Sequence, residues 1–356
     1  MKVVLLAPTP PPFGGIAGWT VRMIEAKLKN NWEVVVVDEK VSEGRDVFGD
    51  NKKRNFKAEI KRCFRIWSEL IKQIKDSDVK VVHSCIPSTT FAMMREYICS
   101  IISKVFGKKF IIHFRCTVPN TTKGKIGNLI LKYLCNNSSY IISLNSQTES
   151  YLKNITKTPI ITIPNFISSE EVSDSHIINE RIKKVLYVGG VIETKGVIDI
   201  LKVAQQFPNI EFRFVGNAES IILDFAKNNK ILNAIFLGSM DKIQIKEELK
   251  NADIFLFLTY FYGEGFSNAL AEAMAVGLPC IVTRWAANAD MIDDIKGGFI
   301  VPIKSPTLVI DALKKCFPLE IRKSQSVYNI LKVKNEYTDN IILNKYVDIY
   351  EKLIKE

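Results

Sequence analysis

Long hydrophobic runs are missing from this 356-residue sequence: no window approaches the ~20 continuous apolar residues of a membrane span. Cysteine pairing signals are missing too. Cys63, Cys85, Cys99, Cys116, Cys135, Cys280 and Cys316 are widely spaced, odd in number and contain no Cys-x-x-Cys. Neither a disulfide framework nor a zinc site is indicated. Histidine is scarce, and His83, His113 and His176 are too scattered to nominate a metal site. No Gly-x-Gly-x-x-Gly follows either opening strand, which disfavours a dinucleotide oxidoreductase. The N-terminal apolar run stops at a proline cluster, too short for a signal-peptide core. It reads as a first β-strand, so a cytoplasmic protein is expected.

What is present is globular: 47% hydrophobic and 24% charged residues. The length makes two domains the default. The net charge is +11, which favours phosphorylated substrates, anionic lipid or nucleic acid. Much of it lies between Lys52 and Lys75, where Lys52, Lys53, Arg54 and Lys57 open a basic stretch. Phe56, Ile60, Phe64, Trp67, Ile71 and Ile74 recur there at helical spacing, predicting an amphipathic helix with a basic face. Such a helix either packs on its own domain with a solvated face or lies on an anionic membrane surface. The stretch lacks the aromatic platform pattern of nucleic-acid binders, so no nucleic acid is expected.

Short β-branched runs alternate with helical patterns from end to end. The strand candidates are Lys2–Ala7, Glu33–Asp38, Val79–His83, Lys109–Phe114, Tyr140–Leu144 and Ile160–Pro164 in the first half. Those of the second half are Lys184–Val188, Ile210–Val215, Ile235–Leu237, Asp253–Leu258, Cys280–Thr283 and Phe299–Val301. The alternation predicts an α/β chain with parallel sheets covered on both faces. Each half opens with a strand, paired glycines (Gly14-Gly15, Gly189-Gly190) and a helix, the first unit of a doubly wound domain. The expected organisation is a Rossmann-like domain over 1–165 and a second over 166–336, with a helix at about 337–356 returning to the first. The linker is Asn165 to Arg181. Two such domains would face a central cleft.

The most informative segment is Tyr262-Gly-Glu-Gly-Phe-Ser-Asn-Ala-Leu-Ala-Glu-Ala-Met-Ala-Val-Gly-Leu-Pro279. A helix is expected from about Gly265 to Val276, ended by Gly277. Glu272 stands in an otherwise apolar stretch, where a carboxylate is costly unless paired or facing a polar ligand. Glu264 precedes it by eight residues, ~12 Å of helical rise, about the span from a sugar across a diphosphate to a ribose. The N–H groups of Gly265, Phe266 and Ser267 would then offer a diphosphate seat. The plainer alternative is a capping Glu264 and a Glu272 paired with a buried base.

This segment resembles the Glu-x7-Glu signature of the retaining GT-B glycosyltransferases of family 4, also called group 1, and the likeness extends along the chain. The resemblance implies a GT-B fold and transfer of a sugar, hexosyl in type and with retention, from a nucleotide diphosphate sugar. The acceptor would be a glycan or a polyprenyl-diphosphate-linked lipid, as in capsule or lipopolysaccharide synthesis. It implies that Glu264 holds donor-sugar hydroxyls and Glu272 the ribose, with Gly265, Phe266, Ser267 and Asn268 beside the donor. Gly14 and Gly15 resemble the family's first-domain glycine loop at the phosphates. Ile111-Ile-His-Phe-Arg115 resembles the strand ending in an active-site histidine, His113. His83 ends a strand similarly and reads as structural or acceptor-facing. Tyr187-Val-Gly-Gly-Val-Ile-Glu-Thr-Lys-Gly196 resembles Val-Gly-Arg-x4-Lys-Gly, with Lys195 at the diphosphate and Gly190 where arginine is usual. Arg115 and Arg284 are candidates for the missing charge. No aspartate pair suits a metal, so no metal or other cofactor is expected. The competing readings are a GT-B epimerase or phosphorylase and an inactive sugar-nucleotide-binding subunit. A peripheral position on the inner membrane face would follow from a lipid-linked acceptor.

Overall fold

The computed structural model describes residues 1–11, 14–40 and 56–355. It divides into two compact units, Met1–Asn165 with Ile342–Glu356, and Phe166–Ile341. Among the described residues each unit holds one six-stranded parallel sheet, so the α/β reading and its doubly wound units stand.

In the first unit the strands are β1 (Lys2–Ala7), β2 (Glu33–Asp38), β3 (Val79–Ile86), β4 (Lys109–Phe114), β5 (Tyr140–Ser143) and β6 (Ile160–Thr162), ordered β2-β1-β3-β4-β5-β6. The helices between them are α1 (Gly15–Glu25), α2 (Phe56–Ile74), α3 (Thr90–Val105), α4 (Val118–Thr121), α5 (Gly124–Asn137) and α6 (Ser146–Lys153). The chain turns back between β1 and β2 and then runs steadily from β3 to β6. Right-handed crossovers therefore put α2, α3 and α5 on one face of the sheet and α1 on the other. The period-2 pleat sorts the side chains accordingly. Val4, Leu6, Val82, Phe110 and Ile112 join Ile66, Leu70, Met93, Leu131 and Leu134 in one core cluster. Each such buried aliphatic contributes roughly 1.5–3 kcal/mol. The alternate positions of β3 and β4, His83, Cys85 and His113, project to the opposite face.

One sequence expectation changes here. In α2 the buried positions are Glu59, Cys63, Ile66, Leu70 and Ile74. Of the six apolar positions expected to face inward, Ile74 does, Trp67 and Ile71 are half-buried, and Phe56, Ile60 and Phe64 are exposed. The helix is turned because the side chains of Glu59 and Arg62 pair at 2.9 Å beside a buried polar cluster built on Arg95. Of the basic residues singled out, Lys57 is exposed on this helix, whereas Lys52, Lys53 and Arg54 lie outside the described residues.

In the second unit β7 (Lys184–Val188), β8 (Glu211–Val215), β9 (Ala234–Gly238), β10 (Ile254–Phe257), β11 (Cys280–Thr283) and β12 (Gly298–Val301) are ordered β12-β11-β10-β7-β8-β9. The helices are α7 (Val197–Gln206), α8 (Ser220–Asn228), α9 (Lys242–Asn251), α10 (Asn268–Ala275), α11 (Asn288–Met291), α12 (Pro306–Lys315) and α13 (Leu319–Glu336). Strand order reverses between β7 and β10, which makes the loops beyond their C-terminal ends the ligand position of an open α/β sheet. The last helix, α14 (Asp339–Lys355), belongs to the first unit from Ile342 onward. Its Tyr346, Tyr350 and Leu353 are fully buried.

Candidate active site

The second unit's switch point is built by the loops after β7 and β10. Gly196 adopts φ +77°, and a Cβ there would lie 2.1 Å from the Leu258 carbonyl oxygen. Only glycine permits that approach. It seats the β7 loop against the end of β10, and the Tyr260 N–H donates to the Thr194 carbonyl at 2.9 Å. The result brings Lys195 to Glu264: Nζ lies 2.5 Å from Oε2, with both side chains largely shielded. Thr259 Oγ1 also donates to Glu264 at 3.3 Å, and the Lys195 ammonium stands 4.8 Å from the Phe261 ring centroid. The β11 loop braces this arrangement. Thr283 Oγ1 donates to the Thr259 carbonyl at 2.5 Å, and Trp285 Nε1 donates to the Phe261 carbonyl at 2.8 Å. Neither Thr259 nor Trp285 was singled out by sequence; no local pattern marks a loop brace.

The helix after this loop starts later than the sequence suggested. α10 begins at Asn268, because Ser267 is the N-cap and its hydroxyl accepts the Leu270 N–H at 3.2 Å. Gly265, Phe266 and Ser267 therefore form the turn ahead of the helix, and the first-turn N–H groups belong to Asn268 and Ala269. The helix ends as expected. The Leu278 N–H reaches the Ala273 carbonyl and the Gly277 N–H the Met274 carbonyl, with Gly277 at φ +87°. Glu272 is half-buried on this helix. Gly190 has open space where a Cβ would stand, and its carbonyl accepts the Tyr187 hydroxyl at 2.8 Å. Arg284 is exposed beyond β11.

In the first unit the sheet reverses between β1 and β3, and the glycine loop lies there. Gly14 is the N-cap of α1 and Gly15 its first residue. Both border a cavity of about 320 Å³ shared with Glu39, Arg62, Phe91 and Arg95. Arg95 is clamped at 2.6 Å by both Glu39 and Glu96, and Ser84 donates to Glu96 at 2.7 Å. Burial pushes the Glu39 carboxyl well up, against the pull of Arg95, and its second oxygen has no partner. Sequence reasoning missed this cluster, since its members are far apart in the chain.

His113 is fully enclosed, as is His83. Arg115 Nη1 lies 3.2 Å from His113 Nε2, His113 Nδ1 is 3.1 Å from His83 Nε2, and His83 Nδ1 is 2.7 Å from the Tyr350 hydroxyl. A guanidinium only donates, so His113 Nε2 must accept and its proton sits on Nδ1. His83 then accepts at Nε2 and donates from Nδ1 to Tyr350. Burial, helped by the Arg115 charge, lowers His83 to about 3 and holds His113 well below its ordinary value. Arg115 itself donates to Asn165 at 2.6 Å and packs 4.4 Å over the Trp19 ring. His113 thus has both ring nitrogens engaged by protein groups, where an open strand end was expected. Arg115 is likewise committed within the first unit. The donor atoms of His83, Cys85 and His113 lie within 4.8 Å of one another, the one such trio found among the described residues. The Arg115 charge and the burial that keeps Cys85 a thiol both oppose a cation there.

Residues 168–330 match the family described as Glycosyl transferases group 1. The capsular polysaccharide biosynthesis glycosyltransferase CapM of Staphylococcus aureus is 22% identical over 249 residues. That match spans 62% of this chain and 63% of the relative, a little under two thirds of its length. Among solved structures, sucrose-phosphate synthase from Thermosynechococcus elongatus superposes with a TM-score of 0.82 at 14% identity, covering 99% of both chains. HepE from Anabaena in complex with UDP superposes with a TM-score of 0.75 at 12% identity, covering 99% of this chain and 100% of that one. At such identities the structural likeness is one of fold. The chain therefore has a GT-B fold of two Rossmann-like units, and residues 168–330, most of the second unit, carry the module described as Glycosyl transferases group 1.

Proposed function

We propose that this protein transfers a sugar from a nucleotide diphosphate donor to a glycan or polyprenyl-diphosphate-linked acceptor in surface polysaccharide synthesis, with retention of configuration and without a metal. The observation that carries this reading is the Lys195–Glu264 pair at the switch point, ahead of the N-terminus of α10. Sugar transfer builds negative charge on the departing diphosphate and positive charge at the anomeric carbon. Lys195 and the first-turn N–H groups of α10 suit the phosphates, while the Glu264 carboxylate suits sugar hydroxyls. Donor binding would draw Lys195 off Glu264 and free both for these partners. Glu272, on the same short helix, is assigned to the ribose.

Retention follows from the family resemblance: attack on the same face, with the leaving phosphate taking the acceptor's proton. Gly14, Gly15 and the cavity they border are assigned to the phosphates and the acceptor in the first unit. His113 could serve the transferred sugar only if Nε2 exchanged Arg115 for a hydroxyl. The likeness to CapM and to a UDP-bound structure supports a nucleotide-sugar donor and a capsule-like product. A cytoplasmic enzyme held at the inner membrane face is the setting this implies.

The test is incubation with UDP-, GDP- and dTDP-sugars and glycan or polyprenyl-diphosphate acceptors. Acceptor-dependent release of nucleoside diphosphate supports transfer. Epimerised donor, or donor binding without release under any acceptor, would replace it with the epimerase or the inactive binding subunit.

A further inference from the structure

The face of the first unit formed by α2, α3 and α5 carries more exposed apolar surface than packing or solubility asks for. On α2, Phe56 and Phe64 are 67% and 63% exposed, with Ile60 between them, a stripe at spacings of four. On α3 the exposed apolar side chains are Met94, Ile101 and Val105, spaced seven and four, with Val105 at 76%. On α5 they are Ile126, Leu129 and Tyr133, spaced three and four. Each spacing keeps a stripe on one side of its helix. The topology sets the three helices side by side on one sheet face. Contacts join them: Trp67 Nε1 donates to the Arg95 carbonyl at 3.4 Å, Asn137 Nδ2 donates to Ser100 Oγ at 2.7 Å, and the Tyr97 and Tyr133 rings are 6.1 Å apart.

Charge on this face has one sign. Lys57, Lys61, Arg65 and Lys72 are exposed on α2, Lys104 on α3, and Lys125 and Lys132 on α5. The three helices hold three acids. Glu59 and Glu96 are buried, and Glu69 is half-buried and accepts from Gln73 at 2.6 Å. Stripes of exposed apolar residues rimmed by polar groups mark a docking surface. On the three helices the exposed charges are all cationic, so a second copy of this face would set like charges against each other. An anionic bilayer offers the complement: phosphates for the lysines and an apolar layer for the stripes.

We infer that the α2–α3–α5 face docks on an anionic lipid surface, with its three apolar stripes entering the interfacial layer and its cations meeting lipid phosphates. This deepens the lipid-linked acceptor reading, yet vesicle binding is measured without turnover, so the two can fail separately. The experiment is co-sedimentation of the full chain with vesicles of phosphatidylcholine alone or mixed with phosphatidylglycerol. Binding to the mixed vesicles, weakened but not abolished by salt, is expected, since the apolar stripes are not screened. An α2 variant (Lys61→Gln with Phe64→Ser) and an α5 variant (Leu129→Ser with Lys132→Gln) should each weaken it at least fivefold. Their melting temperatures and nucleotide-induced shifts should match wild type. Should the α5 pair unfold the chain, Lys125→Gln with Ile126→Ser replaces it. Equal binding to both vesicle types, no binding, an α5 variant that binds like wild type, or a dimer broken by these variants would each overturn the inference.

Discussion

Lys195 and Glu264 meet at 2.5 Å across 69 residues of sequence, in a pocket that leaves their side chains 13% and 12% exposed. An ammonium and a carboxylate so shielded attract more strongly than a surface pair, and each holds the other ready for a partner of opposite charge. In the proposed reading a diphosphate is that partner for Lys195, while the hydroxyls of the attached sugar donate to Glu264.

The two glutamates should separate by role. Glu264→Gln should lower turnover, and Glu272→Gln should weaken donor binding with turnover less affected. Each loss is about 1.5–3 kcal/mol for a hydrogen bond to a charged group. Steady-state kinetics with calorimetric donor titration distinguish the two, and wild-type behaviour in both variants would remove the assignment.

Gly190 invites a gain of function. A Cβ at this position meets nothing within 4 Å, so Gly190→Arg should fold. The added guanidinium beside Lys195 should tighten donor binding by about 1 kcal/mol, roughly fivefold, the discounted worth of one charge-assisted contact at a part-exposed site. Donor titration by calorimetry checks it; unchanged or weaker binding would show that the phosphates lie elsewhere.

The histidine pair sets a pH dependence. His83 is held neutral down to about 3 by burial and then by the Arg115 charge, whereas the unfolded chain protonates it near 6.5. The unfolded state therefore takes up protons first as pH falls, and stability is lost from about 6.5 towards 3. At pH 5 the loss from His83 is about 2 kcal/mol. Urea unfolding at pH 7 and pH 5 should show it, and His83→Gln, which can still bond Tyr350 and His113, should reduce the difference. The raised Glu39 carboxyl works the other way and cancels between the two chains. Equal pH dependence in both would contradict the burial of a neutral His83.

Much of the fold could be read from sequence because parallel strands buried on both faces are near-continuous apolar runs. β1, β2, β4, β7 and β11 begin and end where those runs do. β3 runs on to Ile86, past the polar His83 and Ser84 that looked like its end. Their partners, His113 and Glu96, lie across the sheet and on α3, and no local pattern reveals them. The same blindness turned α2 the wrong way: Glu59 and Arg62 go inward because of a cluster set by Arg95 and Glu39. In the second unit, the glycines foretold the loops, but the start of α10 depended on whether Ser267 or an earlier residue would cap it.

The most direct test is the thermal shift of the wild-type chain with UDP-, GDP- and dTDP-sugars, set beside Lys195→Ala. One nucleotide should raise the wild-type melting temperature, since a ligand at a hundredfold excess over its Kd adds about 2.7 kcal/mol of stability. In Lys195→Ala that shift should shrink with a loss of affinity of at least about tenfold, or ~1.4 kcal/mol. No shift with any donor, or the same shift in both chains, would contradict a nucleotide-sugar site built on Lys195 and Glu264.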